Sequence, residues 1–321
     1  MGRLAGVSPA TASRVLTGSA RVSRAARRRV EDAVEQLGYV RRNSAARPLP
    51  GAVAVVIRED GARLVGDAFH ARMLWGVRRE LSGVAPVLVL MTSSPDELHA
   101  AAEYLRGGRV EGVLLVGAHE GPGEIARAVC GAPVVLAERP PAGTALPYVG
   151  VDDRGGARDA TRHLLESGRR RVATIAGPAD RASGADRLDG YREAAGAAGM
   201  DTSGLVGRGD FGARSGELAM RALLARRPDA DAVLAASDAM AAGALRALRR
   251  AGRRVPDDVA VVGFDDAPIA RRTRPPLTTV RRPAEELGVR LARELRARMD
   301  GRTSTDRAVL LRTRLVVRAS G

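Results

Sequence analysis

The sequence predicts an α/β protein in two parts. A small all-α unit spans residues 1–38, and a region of doubly wound parallel sheet spans 52–321, with a linker at 39–51. Three observations predict this. The first fifty residues hold short, capped helical segments and ten arginines against three acids. From residue 52, short apolar runs alternate with helix-like segments, the pattern of strands covered on both faces. Finally, 321 residues at 45% hydrophobic content supply more than one buried core.

Composition excludes several classes. The net charge is +15, and all 52 basic residues are arginine. Without lysine there is neither a lysine-bearing phosphate loop nor a Schiff-base enzyme. The single cysteine, Cys130, cannot form an internal disulfide. No apolar stretch reaches the length of a membrane span, and the N-terminus lacks the apolar core of an export signal. The expectation is a cytoplasmic protein that does not engage a membrane.

Taken in order, Ser8-Pro9 reads as a helix N-cap followed by its first residue: the hydroxyl accepts an orphan amide, and proline has none to orphan. That helix runs to about Leu16, where Thr17-Gly18 ends it. Val7, Ala12, Val15 and Leu16 can face a small core. Ser23 caps a second helix whose Ala26, Val30, Ala33, Val34 and Leu37 form one apolar face, and Gly38 ends it. Such a basic unit suits a polyanion, although a solvated charged face is the commoner fate of the pattern. Two short helices joined by a turn, with a third behind them, are the minimum that places a helix in the major groove of DNA.

The stretch AGVSPATASRVLTGSARVSRAARRRVEDAVEQLGY closely resembles the DNA-binding headpiece of the lactose-repressor (LacI/GalR) family of bacterial transcription regulators. The resemblance implies that Pro9, Ala10 and Arg14 face the bases. Thr11, Ser13, Arg21 and Ser23 would lie along the phosphates, with Tyr39 near the backbone, and Ser8 counts among the DNA-contacting residues. Arg14 can bond a guanine edge bidentately, whereas Pro9 and Ala10 offer apolar contact. Two departures stand out. The family opens with a helix containing Asp-Val-Ala, and this chain starts at MGRLAG, inside it; in-frame DNA upstream is expected to encode the missing turn. In the hinge, RRNSAARPL carries Arg42 where the family has proline. Pro48 precedes Leu49, the residue implied to wedge into the minor groove, and shortens any hinge helix.

The apolar runs are AVAVVI (52–57), PVLVLM (86–91), GVLLV (112–116), PVVLA (133–137), VATIA (172–176), AVLAA (232–236) and VAVVGF (259–264). In open parallel sheets ligands bind beyond the carboxyl ends of strands, where Arg58, Thr92, Glu138, Ser237 and Asp265 stand. A cleft follows from the topology; its ligand does not. Here VGVDDRGGARDATRHLLESGRRRVATIAGP, RLDGYREA, AASDAMAAGALRALRRAG and VPDDVAVVGFDDAPIA resemble the family's effector domain, which shares the fold of periplasmic sugar-binding proteins. The resemblance implies an N-lobe of 52–152 and 283–308 and a C-lobe of 153–281 and 309–321. It nominates Asp67, Phe69, Asp152, Arg187, Phe211, Ser237, Asp265 and Arg282 as effector contacts. A guanidinium fork and a carboxylate, as at Arg187 and Asp265, suit vicinal hydroxyls. For Asp152, Asp238 and Asp266, helix capping or strand-end solvation is an equal reading.

GRGDFG (207–212) matches a dinucleotide fingerprint, but the apolar run before it is too short to make that site. The four histidines are scattered and no cysteine pair exists, so neither a metal site nor a cofactor is expected. No nucleophile–base set can be assembled, which leaves an enzyme as the weak alternative. A solute-binding protein without gene control would carry an export signal and no headpiece. The expectation is therefore a repressor: a homodimer on double-stranded operator DNA, controlled by a small polar effector, a carbohydrate.

Overall fold

A computed structural model of the chain describes residues 4–16, 22–36, 51–59, 68–106, 108–117, 122–129, 131–141, 143–302 and 308–321. The chain divides into two compact units, residues 1–50 and 51–321. In the first, α1 (Pro9–Leu16) and α2 (Arg24–Gln36) pack through Ala5, Ala12, Val15, Val30 and Ala33, with Val7 and Val22 at the margin. Both caps form. The Thr11 amide donates to Ser8 Oγ at 3.1 Å and the Ala26 amide to Ser23 Oγ at 3.3 Å. Pro9 takes the first helical position, where its lack of an amide costs nothing.

The second unit holds two six-stranded sheets. The first is built from β1 (Val53–Arg58), β2 (Val87–Thr92), β3 (Gly112–Val116), β4 (Val134–Leu136), β5 (Tyr148–Val151) and β11 (Ala308–Leu311), in spatial order β11-β5-β4-β3-β1-β2 and parallel throughout. The second contains β6 (Val172–Ala176), β7 (Val206–Arg208), β8 (Ala232–Ala235), β9 (Ala260–Asp265), β10 (Thr278–Arg281) and β12 (Arg314–Val316), in order β12-β10-β9-β8-β6-β7. It is parallel except for β12, which pairs antiparallel with β10. Helices α3 (Ala68–Glu80), α4 (Pro95–Leu105), α5 (Pro122–Ala128) and α10 (Ala284–Met299) cover the first sheet, and α6 (Asp153–Glu166), α7 (Ala182–Ala197), α8 (Ala213–Arg226) and α9 (Asp238–Arg250) the second.

Coverage on both faces explains the continuous apolar runs. In β1, Val53, Val55 and Ile57 pack with Met73, Val77, Leu287 and Leu291, while Ala54 and Val56 pack with Leu98, Ala102 and Leu105. Both halves of the two-residue period are buried, so alternation disappears. The backbones of α3 and α10 cross in direct contact. A Cβ on Gly288 would stand 2.0 Å from the Met73 carbonyl oxygen and 2.8 Å from the Val77 nitrogen. Backbone cannot yield as a side-chain tip does. Gly288→Ala is expected to cost about 3 kcal/mol, the upper end of ordinary overpacking, read as a lower melting temperature.

The chain passes between the lobes three times, after β5, after β10 and after β11. One expected boundary is corrected: residues 309–311, assigned to the C-lobe, continue β11 in the first sheet, where Val309–Leu311 pair with Val149–Val151. The last crossing therefore falls at 312–313, because the ladder holds β11 to its end. Strand β10 had no apolar run to announce it. Its Thr278 and Thr279 are fully buried and satisfy their hydroxyls on Gly321 O and the Asp238 carboxylate.

Candidate binding cleft and helical headpiece

The carboxyl ends of the two sheets face a cavity of about 1020 Å³. Of the nominated residues, Phe69, Asp152, Arg187, Phe211, Ser237, Asp265 and Arg282 all line it. Asp67 lies outside the described residues, as do Arg21, Tyr39 and Leu49 of the headpiece and hinge and the side chains of Ala10, Ser13 and Arg14. At the start of α1, Ser8 and Pro9 are exposed, and the Ser8 and Thr11 hydroxyls bond each other at 2.8 Å.

Arg187, 4% exposed, is the best-anchored group in the cleft. Its Nε donates to Asp153 Oδ1 at 3.0 Å, its Nη2 lies 2.9 Å from the same oxygen, and its Nη1 donates to the Ala236 carbonyl. The guanidinium lies 4.0 Å from the Phe264 ring centre and 5.5 Å from that of Phe211. Arg282 approaches from the other side. Its Nη2 donates to Asp153 Oδ2 at 3.4 Å, its Nε lies 3.2 Å from Oδ1, and its carbon centre stands 3.9 Å over the Phe69 ring. Asp265 Oδ1 is 3.6 Å from a nitrogen of each arginine. Two cations and two anions thus balance among three phenylalanine rings.

Two nominated residues turn their polar atoms elsewhere. Asp152 caps α6, accepting the Gly155 amide at 2.8 Å. Ser237 caps α9 through the Met240 amide at 3.1 Å and donates its hydroxyl to the Phe211 carbonyl at 2.8 Å. The GRGDFG stretch makes a self-closed turn. Asp210 accepts the Gly212 amide at 2.7 Å, the kind of donor a bound phosphate would need.

Sequence reading missed Asp153, although its neighbour was singled out. It missed the pairs that join the lobes: Glu59 with Arg181 at 3.3 Å and Arg139 with Asp186 at 2.5 Å. It also missed backbone strain. Phe211 (φ 70°), Asp265 (φ 110°) and Asp266 (φ 52°) are the non-glycine residues with positive φ among those described, and the first two line the cavity. Such conformations cost about 1–3 kcal/mol each and collect at working sites.

Asp238 and Asp266 serve the scaffold. Asp238, 1% exposed, accepts from Thr279 Oγ1 at 2.5 Å and the Ala267 amide at 2.7 Å. Burial, reinforced by the nearby Asp265 charge, pushes its carboxyl well above the ordinary value of 3.8. Burial would also raise Asp266, but Arg318 and Arg281 outweigh it and hold that carboxyl low. For Asp238 the folded chain keeps a proton that the unfolded chain releases above about 3.8, so its contribution to stability falls as pH rises past that value. Asp238→Asn removes the titration. Its melting temperature is expected to exceed the parent's at neutral pH, with the gap narrowing in acid.

Among the described residues, no group of three or more His, Cys, Asp or Glu could hold a metal ion, and no helix is long and apolar enough to cross a membrane.

Comparison with known proteins adds to this geometry. Residues 2–42 match the family model for bacterial regulatory proteins of the lacI family, and residues 161–321 match that for the periplasmic binding protein-like domain. The chain is 46% identical to the HTH-type transcriptional regulator CelR of Thermobifida fusca, over 99% of this chain and 96% of that one. It is 34% identical to the ribose operon repressor of Escherichia coli K12, over 89% and 88%. Among solved structures, a complex of the transcriptional regulator CelR with cellobiose superposes with a TM-score of 0.81 at 43% identity, covering 100% of this chain and 98% of that one. The lac repressor dimer bound to operator and an anti-inducer gives 0.76 at 26% identity, covering 99% and 97%. With both of its units matched and nearly its full length aligned, the chain belongs to the lacI family of bacterial regulatory proteins.

Proposed function

We propose that this chain is a cytoplasmic transcriptional repressor. As a homodimer it grips a pseudo-palindromic operator through residues 1–38, with 39–51 as hinge, and its operator affinity is set by a neutral sugar held between the lobes of 52–321. The observation that carries the reading is the cleft, where paired arginines and aspartates stand between the faces of Phe69 and Phe211. Aromatic faces suit the apolar side of a sugar ring, and Asp265 with Arg282 offers an acceptor and donors at its edge. A cavity of about 1020 Å³ stands at the upper limit of small-molecule sites. It suits a disaccharide better than a single ring, and cellobiose, the ligand in the CelR complex, is the first candidate.

We read the cleft as binding rather than catalytic. Asp153 and Asp265 each face guanidinium groups, and Asp238 keeps both oxygens engaged away from a ligand. The reading is tested with full-length protein, a DNA site selected from random sequence, and anisotropy titrations with and without cellobiose, ribose or adenosine. Cellobiose is expected to change operator affinity, and operator must change cellobiose affinity by the same factor. Failure to select any DNA sequence, or operator affinity indifferent to all three ligands, overturns it.

A further inference from the structure

We infer that Asp153 is the residue that makes this cleft select uncharged sugars over their acidic counterparts, an inference that rests on the function proposed above. Asp153 is the first residue of α6 and is 5% exposed. Its two oxygens meet both cleft arginines, Arg187 at 3.0 and 2.9 Å and Arg282 at 3.2 and 3.4 Å. Two guanidiniums at one buried spot repel each other unless an anion lies between them, so Asp153 sets their separation and the directions of their remaining donors. It also sets the charge. With Asp265, it brings the Arg187–Arg282 cluster to zero. Three further ion pairs around the cavity, Glu59–Arg181, Arg139–Asp186 and Arg154–Glu193, are likewise neutral as pairs.

A carboxylate or phosphate entering such a site loses its hydration and meets no uncompensated cation. A neutral polyol loses far less and still finds acceptors and donors. The site is thus built against anions although Arg187 and Arg282 stand at its centre. Replacing the carboxylate of Asp153 by an amide of the same shape leaves the cluster at +1, which repays the desolvation of one anionic group. Asp153 therefore acts as a positioning and specificity-determining residue whose effect is read in the ratio of two affinities.

The experiment uses the full-length chain and calorimetric titration with matched probes: cellobiose and its aldonic acid cellobionate, ribose and ribose 5-phosphate. The parent is expected to bind a neutral member and to bind its acidic partner at least roughly tenfold more weakly. Asp153→Asn is expected to narrow or invert that ratio by about tenfold or more. Asp153→Asn combined with Arg282→Gln returns the cluster to zero and is expected to restore the neutral preference. General damage would weaken both probes together and would not be reversed by a second substitution. Equal or tighter binding of the acidic partner by the parent overturns the inference even if the single variant fails to fold. So does an unchanged ratio in a folded Asp153→Asn variant. If no sugar binds the parent, the proposed function fails first, which the operator titrations report separately.

Discussion

Arg187→Ala is expected to yield a folded chain that still binds operator DNA but no longer responds to the sugar. The substitution removes one of the two cations that Asp153 and Asp265 share, leaves Arg282 alone to balance both, and takes the donor from the Ala236 carbonyl. Breaking a buried ion pair from one side costs about 3–5 kcal/mol, because the partner charge stays behind without compensation. Where that penalty falls decides the phenotype. The second sheet keeps its two apolar layers, since Arg187 contributes to them only through its contacts with the Phe264 and Phe211 rings. Both carboxylates line the cavity and keep Arg282 within reach in the empty protein, whereas a sugar filling the cleft must be held without the donors of the missing guanidinium. The loss is therefore expected mainly in the liganded state, as a hundredfold or greater weakening of sugar binding at ~3–5 kcal/mol. Operator affinity without sugar should stay close to the parent's. Equal sugar affinity in parent and variant, measured by calorimetry, would remove Arg187 from the site.

The part of this cleft that could be read from sequence is the part carried by local pattern. Strand ends are visible because apolar runs stop, which put Ser237 and Asp265 beside the ends of β8 and β9. The division of labour between adjacent residues is not visible. Asp152 and Asp153 are chemically identical neighbours, and only the turn into α6 makes one a cap and the other a ligand of two arginines. Contacts between Glu59 and Arg181, or between Arg282 and Phe69, join residues far apart in the chain that no spacing rule connects. The left-handed backbone at Phe211 and Asp265 is hidden for a related reason. Phenylalanine rarely adopts it and aspartate does so only as a minority, so no residue-type signal announces it and the surrounding fold imposes it. In the scaffold the same limit applies to β10, where buried threonines replace an apolar run.

The headpiece was legible for the opposite reason: its structure is local. Caps at Ser8 and Ser23 and a five-residue apolar core define α1 and α2 without long-range help. That makes the second large prediction one about chemistry along a single helix. Arg14 follows Pro9 by five residues on α1, and the residues implied to read bases with it, Pro9 and Ala10, carry no hydrogen-bonding side chain. Discrimination by hydrogen bonds on this helix then falls mainly on Arg14. Arg14→Ala is expected to weaken operator binding by about 1–3 kcal/mol and to relax the preference at one guanine in each half-site. Arg21 offers the control. If it contacts phosphate, Arg21→Ala weakens all DNA sequences alike and lowers the slope of log affinity against log salt by about one. The two variants thus separate on different axes, sequence selectivity and salt dependence. An Arg14→Ala protein that keeps its parent's full base preference would move the reading of DNA to another residue.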